Sequence, residues 1–276
     1  MALKNKTALI TGGSRGIGLA VAQAFLREGA RVMLAARSEE ELLKAKKEFK
    51  KDFANIETYR ADISLPRDVT ALVKDTIGMF GEPAILVNAA GIFGPIGELE
   101  SIDFDAWKKT FEINVFGMFN MIQAVAPFMR KSGYGKIINF GGGGDGPSPR
   151  FSAYSASKGA VARLTETIAA ELKDDHIDVN AVAPGPVNTK FLDDALAAGE
   201  AAVGAEQYKK LLRQKEEGGT PPELAAELCV FLASSASDGL TGKIVSAKWD
   251  DWKNWDRKKI EAIMNKNIYT LRRVVR

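Results

Sequence analysis

Tyr154 and Lys158 are two side chains whose types and spacing could carry out chemistry. They stand four residues apart in YSASK (154–158), so a helix would place them on one face. An ammonium group beside a phenol favours the phenolate and lowers the phenol pKa, which suits a residue that exchanges a proton with a bound molecule. In the alternative interpretation, Tyr154 is a half-buried structural aromatic residue. Upstream, Gly141 to Gly144 carry no hydroxyl side chain that could assist such a reaction.

The elements that would position this pair alternate along the chain. Longer helical patterns separate short β-rich runs, and one helical pattern, at 104–131, is unusually long. The β-rich runs are apolar enough for the interior of a parallel sheet. They lie at 7–11, 31–36, 56–61, 84–90, 136–140, 177–183 and 243–247. The pattern predicts one α/β domain over residues 1–247, a doubly wound, Rossmann-like parallel sheet of seven strands, followed by a C-terminal extension at residues 248–276.

A glycine-rich turn, TGGSRGIG (11–18), stands between the first strand and the first helix. Gly12 permits the tight turn, Gly16 lets the backbone approach a pyrophosphate, and Gly18 lets the helix pack closely on the strand. Free N–H groups at the start of the helix would face the phosphates. The turn therefore predicts a dinucleotide site, and a simple structural turn is the alternative.

The end of the second strand indicates which dinucleotide would bind. A carboxylate there is typical of proteins that bind the unphosphorylated cofactor, whereas this chain has Ala36 followed by Arg37, and the glycine turn adds Arg15. Two guanidinium groups suit a ribose 2′-phosphate, so the sequence favours NADP(H) over NAD(H). Two solvated surface arginines are the alternative. Asp62, after the third strand, would accept a hydrogen bond from the adenine amino group or cap the helix that begins near Asp68.

Six motifs, in order, resemble the short-chain dehydrogenase/reductase family in its single-domain branch. They are TGGSRGIG (11–18) for T-G-x-x-x-G-x-G, AD (61–62), VNAAG (87–91) for N-N-A-G, Asn114 in the long helix, YSASK (154–158) for Y-x-x-x-K, and PGPVNT (184–189) for P-G-x-V-x-T. Each motif is common alone, but all six in this order are specific. The resemblance extends from residue 7 to about residue 245.

The resemblance implies an NADP(H)-dependent oxidoreductase that interconverts a carbonyl and an alcohol by hydride transfer. Tyr154 would be the general acid/base at the substrate oxygen, Lys158 would also hold the nicotinamide ribose, and Asn114 would anchor a water that links Lys158 to solvent. The implied cofactor contacts are Gly12, Ser14, Arg15, Gly16, Ile17, Gly18, Arg37, Asp62, Ile63, Asn88, Gly91, Tyr154, Lys158, Pro184, Gly185, Val187 and Thr189.

One position departs from the family pattern. The family places a serine after the fifth strand, commonly in N-x-S-S, where it donates to the substrate carbonyl, and aligning NFGG puts Gly141 and Gly142 at those two places. Loss of such a donor costs about 10² to 10³ in rate, so we expect slowed turnover, with a glycine N–H, a water, Ser148 or Ser152 as substitute donor. Two alternatives stay open: a nucleotide-binding family member without turnover, and an enoyl-thioester reductase, which VNAAG faintly resembles.

Two segments near the predicted pocket bear on the substrate. Gly142, Asp145, Ser148 and Arg150 lie in the loop after the fifth strand. Asp145 and Arg150 are candidate contacts for a polar substrate such as a sugar or an acid, and a solvated turn is the alternative. Residues 190–220 follow the carboxyl end of the sixth strand, so they would form either a mobile lid over the crevice or a plain surface helix pair.

The extension at residues 248–276 is rich in tryptophan and in basic residues. Trp249, Trp252 and Trp255 recur every three residues, close to one face of a helix, and nine Lys or Arg stand against four Asp or Glu. We expect the tryptophans to clamp the tail onto the body. A lid over the substrate mouth, a subunit contact and a membrane-surface helix are alternatives, although the acidic residues oppose the last. The helix at 104–131 resembles the family's subunit-contact surface, which implies a homodimer or homotetramer.

Composition argues against several other classes. No apolar run approaches the ~20 residues that span a bilayer, and no export signal precedes the first strand, so we expect a cytoplasmic protein without a membrane partner. The net charge of +3 comes from the tail, which argues against a nucleic-acid partner. The one cysteine, Cys229, lies in an apolar helical pattern and is expected in the core, and His176 without a Cys/His cluster argues against a zinc-type site.

Overall fold

The computed structural model describes residues 1–142 and 147–271 of the chain. At its centre, seven strands form one sheet in the order β3-β2-β1-β4-β5-β6-β7, and every neighbouring pair is parallel. The strands are β1 Thr7–Thr11, β2 Arg31–Ala36, β3 Ile56–Arg60, β4 Ile85–Asn88, β5 Gly135–Phe140, β6 Ile177–Ala183 and β7 Ile244–Ser246. The predicted single-domain, Rossmann-like α/β fold is confirmed.

Helices cover both faces of the sheet, which explains why its strands are apolar on both sides. They are α1 Gly16–Arg27, α2 Glu39–Phe49, α3 Pro66–Phe80, α4 Phe104–Phe111, α5 Met118–Ser132, α6 Ser152–Leu172, α7 Lys190–Val203, α8 Ala205–Glu217, α9 Pro222–Ala233 and α10 Arg257–Met264. One core lies between the sheet and α1, α2 and α9, and it contains Cys229, as expected. The other core lies between the sheet and α3, α5 and α6.

The helix predicted at 104–131 is helical from Phe104 to Ser132, but it is interrupted. A π turn, Glu112–Gly117, separates α4 from α5. A Cβ added at Gly117 would lie 2.7 Å from Ile63 Cγ1, so the absence of a side chain lets this turn pack closely on the loop after β3. Such turns are often found at functional sites, and this one contains Asn114.

The tail after β7 packs onto the body. Trp252 and Trp255 are buried, and their rings lie 6.0 and 6.4 Å from the ring of Phe231 in α9. The three tryptophans do not share one helix face, contrary to expectation: Trp252–Asn254 is a 3₁₀ turn, and Trp249 is 63% exposed. The tail is therefore anchored by two tryptophans rather than three.

The end of the tail covers the outer edge of β7. The Ile244 N–H donates to the Tyr269 carbonyl at 2.8 Å, and Lys243 Nζ donates to the carbonyls of Lys266 and Ile268. An uncovered edge strand offers free N–H and C=O groups to other chains, and the tail occupies the edge N–H of Ile244. No helix in the described part of the chain is long and apolar enough to cross a membrane.

Candidate active site

The main cavity lies at the carboxyl ends of β1 and β4, where the strand order reverses. It has a volume of about 530 Å³ and is lined by the glycine turn, the ends of β2 to β6 and the start of α7. Open α/β sheets bind ligands at this reversal. A Cβ added at Gly12 would lie only 2.7 Å from the Ala90 nitrogen, so a side chain at Gly12 would force β1 and β4 apart at the cavity floor.

The start of α1 presents free backbone N–H groups to the cavity. The residue before the helix, Arg15, makes no capping hydrogen bond from its side chain, so the first N–H groups lack the partner that a cap would supply. Gly16 has a φ of +55°, and a Cβ at Gly18 would lie 2.4 Å from the Gly12 carbonyl oxygen. Such features are typical of helix starts that bind anions through the backbone.

The end of the cavity that was predicted to take the adenosine contains an acidic residue that the sequence analysis missed, Glu41. Glu41 accepts a hydrogen bond from Ser14 Oγ at 2.7 Å and forms an ion pair with Arg15 at 2.7 Å. Its backbone N–H donates to Ser38 Oγ at the start of α2. The pattern Ser-x-x-Glu at 38–41 is typical of a helix start and could have placed Glu41 there. Arg37 also lines the cavity.

Asp62 lines the cavity beside the adenosine end. Its Oδ1 accepts hydrogen bonds from the Ser64 N–H and Ser64 Oγ, and its own N–H donates to Asp68. Burial alone would raise the pKa of Asp62, but the Ser64 hydrogen bonds and the nearby cations Lys109 and Arg37 outweigh it, so the pKa is lowered. Asp62 does not cap α3, which begins at Pro66 rather than near Asp68.

Tyr154 and Lys158 lie on α6 and both line the cavity. Lys158 Nζ lies 5.5 Å from the centre of the Tyr154 ring and donates to the Phe140 carbonyl at 2.7 Å. Burial raises the pKa of Tyr154 to about 12 and lowers the pKa of Lys158 to about 8. The Tyr154 shift is opposite in direction to the expected lowering, because desolvation disfavours the phenolate.

Asn114 does not line the cavity, but its side chain holds the backbone of Ile92, which does line it. Its Oδ1 accepts from the Ile92 N–H, and its Nδ2 donates to the Ile92 carbonyl, both at 2.9 Å. Nδ2 also donates to Ser157 Oγ. The side chain therefore links the π turn, the loop after β4 and α6, the helix that carries Tyr154.

A second glycine loop, after β6, forms the wall opposite the glycine turn. Pro184, Gly185, Val187 and Thr189 all line the cavity, as do Ile17, Ile63 and Gly91. Thr220 Oγ1 is buried and has no hydrogen-bond partner among the described residues. A Cβ added at Gly185 would lie 3.1 Å from Thr220 Oγ1, so this hydroxyl group packs directly behind the loop.

Several predicted site residues lie outside the cavity lining. Asn88 donates from Nδ2 to Asn139 Oδ1 at 3.0 Å and joins β4 to β5. Gly141 lines the cavity, whereas Gly142 and Ser148 do not. Asp145 lies outside the described residues.

Arg150 is likewise not a lining residue, because its guanidinium group is used elsewhere. It donates to the carbonyls of Ala201 and Ala202 and pairs with Glu98 at 2.8 Å. Its backbone has a φ of +70°. Arg150 therefore ties the end of α7 to the loops that precede α4 and α6, and it is not a free substrate contact in this structure.

The lid segment is a helix pair, α7 and α8, that closes one side of the cavity. Its lining residues are Lys190, Phe191, Leu192, Asp194, Leu211 and Gln214. Phe191 and a second ring, Phe93 from the loop after β4, stand beside Tyr154. Neither phenylalanine belongs to a motif, so the sequence analysis had no signal for them.

The parallel sheet and the cavity at its strand reversal define a Rossmann-like α/β protein. Comparison with known proteins identifies its family. Residues 6–198 match the family described as short chain dehydrogenase, and the chain belongs to that family. It is 35% identical to a diacetyl reductase, (S)-acetoin forming, of Staphylococcus epidermidis over 253 residues, which cover 87% of this chain and 96% of that protein. A 3alpha-hydroxysteroid dehydrogenase of Mediterraneibacter gnavus is 36% identical, with coverages of 89% and 96%.

Solved structures of similar proteins agree with this assignment. An NAD⁺-bound xylitol dehydrogenase has a TM-score of 0.81 at 28% identity, covering 89% of this chain and 98% of that chain. A gluconate 5-dehydrogenase from Burkholderia cenocepacia, in complex with NADP and tartrate, has a TM-score of 0.77 at 31% identity, with coverages of 88% and 94%. The chain is thus an oxidoreductase of the carbonyl/alcohol class, and its structural relatives bind NAD or NADP.

Proposed function

We propose that this protein is an NADP(H)-dependent oxidoreductase that interconverts a carbonyl compound and an alcohol, with Tyr154 as acid/base. One observation carries the proposal: Tyr154 and Lys158 line the same cavity as the uncapped start of α1. A dinucleotide with its phosphates at α1 would extend along this cavity toward Tyr154.

The described residues fit such a cofactor. The N–H groups at Gly16 to Gly18 would bind the pyrophosphate, and Asp62 would accept from the adenine amino group. The loop from Pro184 to Thr189 would hold the nicotinamide half. A Cβ added at Gly12 or Gly18 would lie 2.7 Å from the Ala90 nitrogen or 2.4 Å from the Gly12 carbonyl oxygen, so both positions need glycine, and the backbone there is open to close approach by a pyrophosphate.

When bound, the reduced nicotinamide would supply a hydride, with its two electrons, to the carbonyl carbon. Tyr154 would donate its hydroxyl proton to the carbonyl oxygen, so the C=O double bond becomes a C–O single bond, with one new C–H bond and one new O–H bond. With a pKa of about 12, Tyr154 is protonated at neutral pH, which suits the reduction direction. In the oxidation direction Tyr154 would take the proton back as a phenolate.

Lys158 and Asn114 would support this proton transfer without contacting the substrate carbonyl. The Lys158 ammonium would stabilise the phenolate that forms on Tyr154 and hold the nicotinamide ribose. Asn114 positions the Ile92 backbone and Ser157 on α6, and we propose that it also anchors the water that returns protons to Lys158.

Cofactor choice is decided at the adenosine end. Arg15 and Arg37 favour a 2′-phosphate, but Glu41 already pairs with Arg15. Binding of NADP(H) therefore requires Arg15 to leave Glu41 or to contact both groups. We retain NADP(H) as the preferred cofactor because a phosphate carries more charge and more acceptor oxygens than the Glu41 carboxylate.

The test measures binding and turnover separately. NADPH and NADH are titrated by fluorescence against the wild type and Tyr154→Phe, and NADPH oxidation is followed with a panel of carbonyl compounds. We expect tighter binding of NADPH, turnover by the wild type, and a loss of about 10² to 10⁴ in kcat for Tyr154→Phe with unchanged cofactor binding. Tighter binding of NADH would contradict the cofactor assignment, and equal turnover by both proteins would contradict the role of Tyr154.

A second candidate is a family member that binds the nucleotide without turnover. It is favoured by Gly141, which lines the cavity where a hydroxyl donor is expected, and by the aromatic rings packed on Tyr154. In that case NADPH binding would survive Tyr154→Phe and no carbonyl compound would be reduced by the wild type.

We also propose a homodimer or homotetramer built through residues 104–131. Phe104, Phe116 and Phe119 are 67%, 56% and 43% exposed along this helical segment, and exposed aromatic side chains are common at subunit contacts. Light scattering of the purified wild type and of a Phe116→Glu variant tests it: the variant is expected to shift toward monomer, and a monomeric wild type would contradict the proposal.

A further inference from the structure

The end of the cavity that faces Tyr154 is walled by aromatic rings. The ring of Phe93 lies 4.6 Å from that of Tyr154 and 4.7 Å from that of Phe191, both edge to face. Phe93 also contacts Phe151 at 5.5 Å. Edge-to-face contacts at these separations stabilise the cluster beyond simple burial, so the rings form an ordered wall.

The two phenylalanines come from opposite sides of the site. Phe93 lies in the loop after β4, and Phe191 lies in the first turn of α7. A Cβ added at Gly91 would lie 3.8 Å from Phe191 Cζ, so this ring reaches over the end of β4. A substrate whose carbonyl contacts Tyr154 would therefore have its carbon skeleton against both rings.

Among the described residues, the charged groups nearest this wall have partners. Lys190 pairs with Asp194 at 2.8 Å. The Arg150 guanidinium, the predicted contact for a sugar or an acid, is engaged by Glu98 and two carbonyls. A polyol or carboxylate placed against the rings would lose its hydrogen bonds to water without replacement by these side chains, which is costly.

We propose that the substrate is an apolar, ring-bearing ketone or the matching secondary alcohol, and that Phe93 and Phe191 determine this specificity. The proposal rests on the proposed function and names its substrate class. The flat ring system packs against Phe93 and Phe191, the carbonyl oxygen accepts the proton of Tyr154, and the rest of the molecule extends along Leu211. Small or highly hydroxylated carbonyl compounds lack the apolar area that this wall would bury.

The first experiment compares kcat/KM within one set of carbonyl compounds. Cyclohexanone, 2-tetralone and 2-decalone represent the proposed class, and diacetyl, xylulose and 5-ketogluconate represent small or polar compounds. We expect the bicyclic ketones to exceed both sugar-derived compounds by at least about 100-fold, as a mismatch of apolar and polar groups commonly gives. Faster turnover of xylulose or 5-ketogluconate would overturn the proposal while leaving the proposed function intact.

The second experiment tests the named residues. Phe191→Ala and Phe93→Ala should each lower kcat/KM for 2-decalone about tenfold more than they lower kcat/KM for diacetyl, since diacetyl is too small to bury much area against the wall. Phe191→Leu, which keeps apolar bulk, should recover most of the loss. Equal losses for both ketones would overturn the specificity role and indicate general damage.

A matched control comes from neighbouring leucines on α8. Leu211 lines the cavity, whereas Leu212 is exposed and does not. Leu211→Ala should lower kcat/KM for 2-decalone, and Leu212→Ala should leave it unchanged. Equal changes in kcat/KM for the two substitutions would contradict the proposal that the substrate extends along Leu211.

A binding measurement separates this proposal from failure of the proposed function. Tyr154→Phe loaded with NADP⁺ is titrated by calorimetry with 2-decalone and with gluconate. If the wild type turns over none of the panel, tighter binding of 2-decalone still supports the apolar site, whereas equal or tighter binding of gluconate overturns it.

Discussion

The phosphate end and the carbonyl end of the cavity are made from different parts of the chain. At the end proposed for the phosphates, the cavity is lined by the glycine turn, and a Cβ added at Gly12 would lie only 2.7 Å from the Ala90 nitrogen. At the carbonyl end, Tyr154, Phe93 and Phe191 meet as side chains from three separate elements. Backbone sites cannot be adjusted by substitution without moving strands, whereas side-chain sites can change specificity on an unchanged fold.

Gly12→Ala gives the largest effect expected on cofactor affinity and tests the backbone end directly. The new Cβ would lie 2.7 Å from the Ala90 nitrogen at a residue whose φ is +66°, so β1 and β4 must shift. We expect NADPH affinity to fall by about 100-fold, because a backbone misfit costs roughly 1–3 kcal/mol. Gly81→Ala is the control, since Gly81 also has a positive φ but has no neighbour within 4 Å of the added Cβ. Equal loss of NADPH affinity in both variants would contradict the backbone-contact argument.

Gly141→Ser tests whether the carbonyl end lacks one hydroxyl donor. Its Cβ would make an ordinary 3.5 Å contact with Ala181 Cβ, so the side chain fits without a shift. We expect kcat for the preferred ketone to rise about 10- to 100-fold, as expected for a restored donor to the carbonyl oxygen. Gly141→Ala adds the same bulk without the hydroxyl and should give no gain. A rise in both variants would show that packing, not hydrogen bonding, limits the rate.

The neighbouring Gly142→Ser should behave in the opposite way. Gly142 has a φ of +91°, and its added Cβ would lie 3.1 Å from Pro184 Cδ. A serine there is strained, so we expect a loss of about 1 kcal/mol in the free energy of unfolding, measured by denaturant titration, and no gain in kcat. A stable, faster Gly142→Ser would mean that the loop after β5 takes another conformation.

The same contrast explains how much could be read from the sequence. All seven strands and the glycine turn were predicted, because the local pattern of apolar residues and the positions of the glycines determine them. Glu41 could have been found from the Ser-x-x-Glu pattern at the start of α2. The π turn could not, because no local pattern marks it, and the close approach of Gly117 to Ile63, where an added Cβ would lie 2.7 Å from Ile63 Cγ1, arises only in the folded chain. Phe93 and Phe191 were missed for the same reason: apolar residues gain a role only through tertiary neighbours.

The pH dependence of reduction should report on Lys158. Burial lowers the pKa of Lys158 to about 8 and raises that of Tyr154 to about 12. Tyr154 therefore keeps its proton throughout the working range, while the Lys158 ammonium is present below pH 8 and is lost above it. We expect kcat/KM for reduction to be flat from pH 6 to about 7.5 and to fall toward tenfold per pH unit above about 8.

Lys158→Arg provides the comparison for that profile. A guanidinium group stays charged across the whole range, so the variant, although slower, should show no break near pH 8. If the break persists in Lys158→Arg, another group titrates at this pH and the assignment to Lys158 is wrong.

Glu41→Gln should give the smallest effect, because it alters a partly exposed ion pair at the phosphate end. The Arg15 and Glu41 side chains are 52% and 37% exposed, and such pairs contribute little. Removing the carboxylate frees Arg15 for a 2′-phosphate, so we expect NADPH affinity to rise about two- to fivefold, with NADH affinity unchanged. Glu40→Gln makes the same charge change on the exposed side of the same turn and should leave both affinities unchanged. If Glu41→Gln instead lowers the affinity for NADH and leaves the affinity for NADPH unchanged, Glu41 binds the ribose hydroxyls. In that case a side chain, and not only backbone, determines specificity at the cofactor end.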